Sequence, residues 1–135
     1  MKTNSKEFKR KMQAYILDCI DTEAYDQKFN TTKERLEFVH QCFIKEFWYD
    51  NNKRRYGSQV AGFKEYLMGL PSVIGIDFEN YRILEIAKEW GSYKNTTGMS
   101  EKAIERYEDA IIGTWFYLVS VNFFNMLKKE GIKVQ

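Results

Sequence analysis

Apolar and polar residues alternate with a helical period along most of this chain. The strongest segment is Ala110 to Leu127, AIIGTWFYLVSVNFFNML, which has no charge and five aromatics in eighteen residues. Its apolar side chains form two adjoining stripes. One holds Ile104, Ile111, Trp115 and Leu118, and the other Ile112, Phe116, Val119, Phe123 and Met126. An apolar arc this wide predicts a helix enclosed on most sides. The narrower face of Ala110, Thr114, Tyr117, Val121 and Asn125 is left for water or a partner. Both ends carry stop signals. Ser100 suits the N-cap, Met99 and Ile104 form a hydrophobic staple, and Glu101 and Glu105 face the positive end of the dipole. Lys128 and Lys129 face the negative end, and Gly131 suits the left-handed position beyond it. The expectation is a central helix from Ser100 to Gly131 with the other helices packed around it.

Four shorter segments repeat the period. Helix one is expected from about Ser5 to Ile20, with Phe8, Met12, Tyr15, Ile16 and Cys19 on one face. Glu23 to Phe29 reads as one short turn or a brief helix that tucks Tyr25 and Phe29 inward. Helix two opens on the capping box Thr31-Thr32-Lys33-Glu34 and buries Leu36, Val39, Phe43 and Phe47, with Ile44 flanking, ending near Asp50 to Asn52. Helix three follows Ser58 with Val60, Phe63, Tyr66, Leu67 and Leu70 inward, until Pro71 stops it. The connector PSVIGI is too apolar for a solvated loop, so it is expected against the core, with a small strand or hairpin near Val73 to Ile76 as the main alternative to irregular chain. Asp77 is placed as the cap of helix four, Phe78 to Trp90. Its main face is Tyr81, Leu84, Ala87 and Trp90, broadened by Ile83 and Ile86. SYKNTTG, residues 92–98, reads as the most flexible loop.

Composition narrows the class. The chain has 135 residues, 44% hydrophobic and 30% charged, with one proline, so one helical domain over residues 1–135 is the natural count. The fold class is all-α, a compact bundle of four to six helices with a long, largely buried C-terminal helix. A net charge of +2 is too small to imply a polyanion partner by itself. The two cysteines, Cys19 and Cys42, are expected as buried thiols in a reducing compartment. The N-terminus MKTNSKEFKRKM lacks an apolar signal core, which sets a cytoplasmic expectation. Three readings compete for the central segment: a membrane span, a strand, and a helix pairing with its own copy. The span is short and interrupted by Gly113, Thr114, Ser120, Asn122 and Asn125. The charged helical turn Glu101 to Asp109 argues against a strand, and no membrane span is expected.

The block Phe63 to Gly91, FKEYLMGLPSVIGIDFENYRILEIAKEWG, resembles uncharacterised small helical proteins of bacterial mobile elements and phages. Its distinctive parts are Gly69-Leu70-Pro71-Ser72, Ile76-Asp77-Phe78 and Trp90-Gly91. The resemblance implies a setting, such as regulation or counter-defence on an accessory element. It carries over no catalytic residue and no mechanism.

Candidate chemistry is sparse. His40 is the sole histidine, between Leu36 and Phe43, with no nucleophile placed beside it by local spacing. It is expected as a structural, partly buried residue. Cys19 and Cys42 lack a CxxC pair or a second histidine, so a zinc site lacks ligands. Glu101, Glu105 and Glu108 are explained by helix electrostatics, and the Glu85 and Glu89 pair likewise. Gly69 and Gly75 lack the sequence of a phosphate loop. No cofactor, metal or catalytic residue is therefore assigned, and enzyme activity has no residue set behind it.

One constellation is basic and aromatic. Lys53, Arg54 and Arg55 lie in a loop-like stretch flanked by Trp48, Tyr49 and Tyr56, with a second cluster at Lys2, Lys6, Lys9, Arg10 and Lys11. Aromatics and arginine carry interface energy. The expectation is a non-enzymatic interaction protein using Trp48, Tyr49, Lys53, Arg54, Arg55 and Tyr56 on a protein partner or in self-association. The alternative is nucleic-acid binding, because cations neutralise phosphates and aromatic faces stack on bases.

Overall fold

The computed structural model describes residues 5–23, 28–48, 59–69, 72–73, 76–77, 80–90 and 93–134. Helix α1 spans Lys6–Glu23 and α2 spans Thr32–Phe43, continuing into a π-helical turn, Ile44–Trp48. Helix α3 is Gln59–Gly69, α4 is Asn80–Glu89 and α5 is Glu101–Lys129. Strands β1 (Ser72–Val73) and β2 (Ile76–Asp77) form a minimal antiparallel pair, Ser72 opposite Asp77 and Val73 opposite Ile76. The architecture is an all-α bundle.

Local chemistry explains the helix ends. The Ser5 hydroxyl accepts from Phe8 N at 3.0 Å, and Thr31 Oγ1 accepts from Glu34 N at 3.1 Å. Ser100 Oγ accepts from Ala103 N at 3.2 Å. At the far end of α5, Gly131 has φ 71°, Ile132 N donates to Leu127 O at 2.9 Å, and Gly131 N donates to Lys128 O at 3.1 Å. This is a Schellman closure, which needs a residue at ease in the left-handed region. Ile132 then packs back on the core.

Helix α5 is central, since α1, α2, α3 and α4 all pack against it. Its burial is uneven. Trp115, Phe116, Val119, Phe123, Phe124, Met126 and Leu127 are buried, whereas no residue from Glu101 to Thr114 is. On the face Ala110, Thr114, Tyr117, Val121 and Asn125 all but Val121, which is half-buried, are exposed as the pattern predicts. Polar residues inside the apolar stretch turn onto their own helix. Ser120 Oγ donates to Phe116 O and Asn122 Nδ2 to Leu118 O, both at 2.8 Å, which satisfies donors where water is absent. By length and composition α5 alone among the described residues is able to cross a membrane, and half of its most apolar window is buried inside the fold.

Two aromatic clusters fill the core. Phe8, Tyr15, Trp90 and Trp115 join α1 and α5 to Trp90, the residue after α4, with Trp90 and Trp115 edge-on at 5.0 Å. Phe43, Phe63, Tyr66, Phe123 and Phe124 join α2, α3 and α5, with Phe63 stacked on Phe123 at 4.6 Å.

Several expectations need correction. In α4 the buried positions are Ile83 and Ala87, followed by Trp90, while Leu84 is half-exposed. The helix is rotated from its expected face because Ile83, Ala87 and Trp90 share one stripe at i, i+4 and i+7. Asp77 lies in β2 rather than capping α4, which starts at Asn80. The apolar connector does sit against other elements, β2 on α1 and β1 on α3. The stretch from Tyr93 to Ser100 is braced rather than loose. Tyr93 donates to Glu108 Oε2 at 3.0 Å, Lys94 N donates to Tyr107 Oη at 2.8 Å, and the Lys94 ammonium lies over the Tyr107 ring.

Candidate functional site

The outer face of α2 carries an open groove of about 500 Å³, lined by Phe29, Glu34, Glu37, Phe38, Gln41, Cys42 and Lys45. Positions 34, 37, 38, 41, 42 and 45 recur at i, i+3, i+4, i+7, i+8 and i+11, one helical stripe. The inner stripe of the same helix, Leu36, Val39, His40 and Phe43, is buried. Phe29 comes from the segment before the helix and packs against Phe38 at 5.5 Å between centroids. Its position follows from the helix start: Thr31 caps, and Glu34 Oε2 accepts from Asn30 N at 2.7 Å. Arg35 Nε donates to Asp21 Oδ1 at 2.7 Å, tying α2 to the end of α1.

The groove therefore has an apolar floor, carboxylates toward its N-terminal end and an ammonium toward its C-terminal end. Glu37 is held only loosely by Lys33, at 3.9 Å, and both are half-exposed. Burial, then the Glu46 carboxylate, pushes the Cys42 thiol upward from its ordinary pKa, with Lys45 opposing. A thiol held protonated is a poor nucleophile. Among the described residues Cys19 and Cys42 form no disulfide, and both are half-buried rather than fully buried as expected. In Cys42 the reason is position: it belongs to the outer stripe with Phe38, not to the core stripe.

Beyond the groove, the π turn changes the helix register. Wide turns of this kind gather at functional sites. Tyr66 is fully buried and its hydroxyl donates to Glu46 Oε2 at 3.2 Å. Burial, then the charge of Glu46, raises the phenol well above its usual range. His40 is 1% exposed, more enclosed than expected, and its ring stands edge-on to Phe124 at 6.0 Å. Among the described residues neither ring nitrogen has a hydrogen-bond partner, nor does either amide atom of buried Gln59. Burial lowers the pKa of His40, and the nearby Gln59 amide partly opposes this without meeting bonding geometry. With no carboxylate or nucleophile bonded to it, the imidazole is not assembled for acid–base work. Among the described residues no group of His, Cys, Asp or Glu is arranged to hold a metal ion.

Of the residues expected at a partner surface, Trp48 closes the π turn in the backbone. Tyr49, Lys53, Arg54, Arg55 and Tyr56 lie outside the described residues, and so does Lys2. Lys6, Lys9, Arg10 and Lys11 are exposed on α1, and Lys11 lies over the Trp90 ring at 5.0 Å. The α2 groove was not anticipated. Its signal in the sequence is Phe38 and Cys42, an apolar pair four apart on the side that the core stripe leaves outward.

Comparison of the chain with protein-family models, curated proteins and solved structures gives no match.

Proposed function

We propose that this is a non-enzymatic interaction protein, and that its α2 groove, with the neighbouring residues Trp48, Tyr49, Lys53, Arg54, Arg55 and Tyr56, receives a protein partner. The observation that carries the reading is an open apolar groove of about 500 Å³ leading in sequence directly into the basic and aromatic segment. Aromatic floors with polar rims are the anatomy of protein interfaces. Glu34 and Glu37 on the rim repel phosphate, which favours a protein over a nucleic acid at this groove. Regulation or counter-defence on a mobile element is the setting proposed, resting on the sequence resemblance of Phe63 to Gly91.

The test immobilises the wild type, Phe38→Glu and Trp48→Ala and identifies bound proteins from a cell extract at low and moderate salt. One protein retained by the wild type, lost by both variants and insensitive to salt, is the expected result. Retention unaffected by either variant overturns the reading. The exposed cations of α1 give nucleic acid its claim. Oligonucleotide anisotropy that falls steeply with salt and is abolished by charge reversal at Arg54 and Arg55 replaces the protein reading with that one.

A further inference from the structure

We infer that the partner seated in the α2 groove is a second copy of this chain, docked antiparallel about a two-fold axis that passes beside the helix between Val39 and His40. The inference rests on the reading of this groove as a protein-binding surface and names its occupant.

Self-complementarity is the argument. A two-fold contact uses the same patch twice, so each residue must suit its mate across the axis. On the outer stripe of α2, Glu34 mates with Lys45, Glu37 with Cys42, and Phe38 with Gln41. The two ends of the stripe are thus of opposite charge, and antiparallel docking sets each Glu34 carboxylate on the other copy's Lys45 ammonium, while Glu37 keeps Lys33 of its own chain. Parallel docking would set like charges together. Glu34 uses Oε2 on Asn30 N, which leaves Oε1 for a partner. Lys45 is exposed and makes no ion pair among the described residues. The two half-buried Phe38 rings, each backed by Phe29, lie near the axis, where an interface needs its apolar centre. At a rise of about 1.5 Å per residue the stripe covers roughly 16 Å. A patch this small belongs at the low end of interface size, below about 1,200 Å² in total, so the dimer is weak and exchanging.

Sedimentation equilibrium of the full chain at low salt tests the assignment. The wild type is expected to show a monomer–dimer equilibrium that weakens with salt. Lys45→Glu sets Glu34 against a new carboxylate at both ends and weakens self-association by about tenfold. Glu34→Lys does the same with ammonium groups. An equimolar mixture of the two variants restores opposite charges at both ends, so it forms a heterodimer at concentrations where each alone is monomeric. Glu34→Lys also removes the bond to Asn30 N, so Lys45→Glu, which disturbs no such bond, is the cleaner variant, and melting curves check that both fold. A wild type that stays monomeric at its highest soluble concentration overturns the dimer. So does self-association indifferent to both charge reversals, or a mixture that fails to recover. If the wild type is monomeric while Phe38→Glu still abolishes capture of a different protein, the dimer falls and the protein-binding reading stands. If Phe38→Glu alters neither, both fall.

Discussion

Replacing His40 by leucine is expected to remove a pH-dependent weakness from the fold. The imidazole is 1% exposed, both ring nitrogens are unpartnered, and burial lowers its pKa. In the unfolded chain a histidine titrates near 6.5. Between that value and its lower folded value, the unfolded state binds a proton that the folded state does not. Stability is therefore fully present above about pH 6.5 and falls as pH drops through the window down to the folded pKa, by at most about 1.4 kcal/mol per pH unit. Above pH 7 the neutral ring still costs something, because a buried polar atom without a hydrogen bond carries about 1–3 kcal/mol of lost hydration.

Leucine keeps roughly the same volume and brings no polar atom, so its packing penalty is at most about 1.5 kcal/mol. At pH 8 the two effects nearly offset, and the variant is expected within about 1 kcal/mol of the wild type. Between pH 8 and pH 5 the wild type should lose stability that the variant keeps, so the difference moves in the variant's favour. Urea unfolding of both proteins at the two pH values, at constant ionic strength, gives the double difference directly. Carboxylates titrating in both proteins cancel in it. An unchanged pH dependence in the variant would mean that the imidazole takes up its proton as readily inside the fold as in the unfolded chain. A loss above about 2 kcal/mol at pH 8 would mean that its nitrogens contribute bonds. Either result refutes the reasoning.

Phe63, fully buried and stacked on Phe123, should cost about 3–5 kcal/mol when changed to alanine, whereas Tyr117→Ala, at a half-exposed ring, should stay within about 0.5 kcal/mol in the same urea assay. Ser100→Ala removes the hydroxyl that accepts from Ala103 N and should lower stability by about 1 kcal/mol. Gly131→Ala forces a side chain onto φ 71° and should cost about 1 kcal/mol, with space around the position adding nothing to the penalty. Thermal denaturation of both variants checks the two ends of α5 separately, and a neutral Gly131→Ala would sink the claim for that closure.

The ends of α5 were legible because each is set by residues within a few positions: Ser100 with Ala103, and Gly131 with Leu127 and Lys128. The same holds for Thr31 and Glu34. Where the sequence misled, the deciding partner was distant. Tyr93 and Lys94 lie in a stretch whose composition says turn. Glu108 and Tyr107 hold them from fifteen and thirteen residues away. In α4 the adjacent apolar residues Ile83, Leu84, Ile86 and Ala87 support two overlapping faces. Only the packing against α5 selects one. The π turn IKEFW carries no period of its own, since one widened turn over five residues leaves the spacing of neighbouring apolar positions nearly unchanged.

The groove was hidden for a different reason. The core stripe of α2 holds Leu36, Val39 and Phe43, all buried, and Phe38 and Cys42 fall on the other side of the helix. Phe38 packs only partly against the core and Cys42 is half-buried, since a single helix cannot turn both stripes fully to the same core. An aromatic four residues before a half-buried thiol, on the outward side of a helix whose inward side is already full, is the residue pattern of a second surface to be covered. Phe29 covers part of it from within the chain, and Glu34, Glu37 and Lys45 line the rest. The opposed charges at its two ends are what turn an uncovered patch into a directional one. They penalise a parallel copy and a uniformly acidic ligand, and they leave an acidic-to-basic helix running antiparallel, as a second copy would, as the occupant with the lowest electrostatic cost.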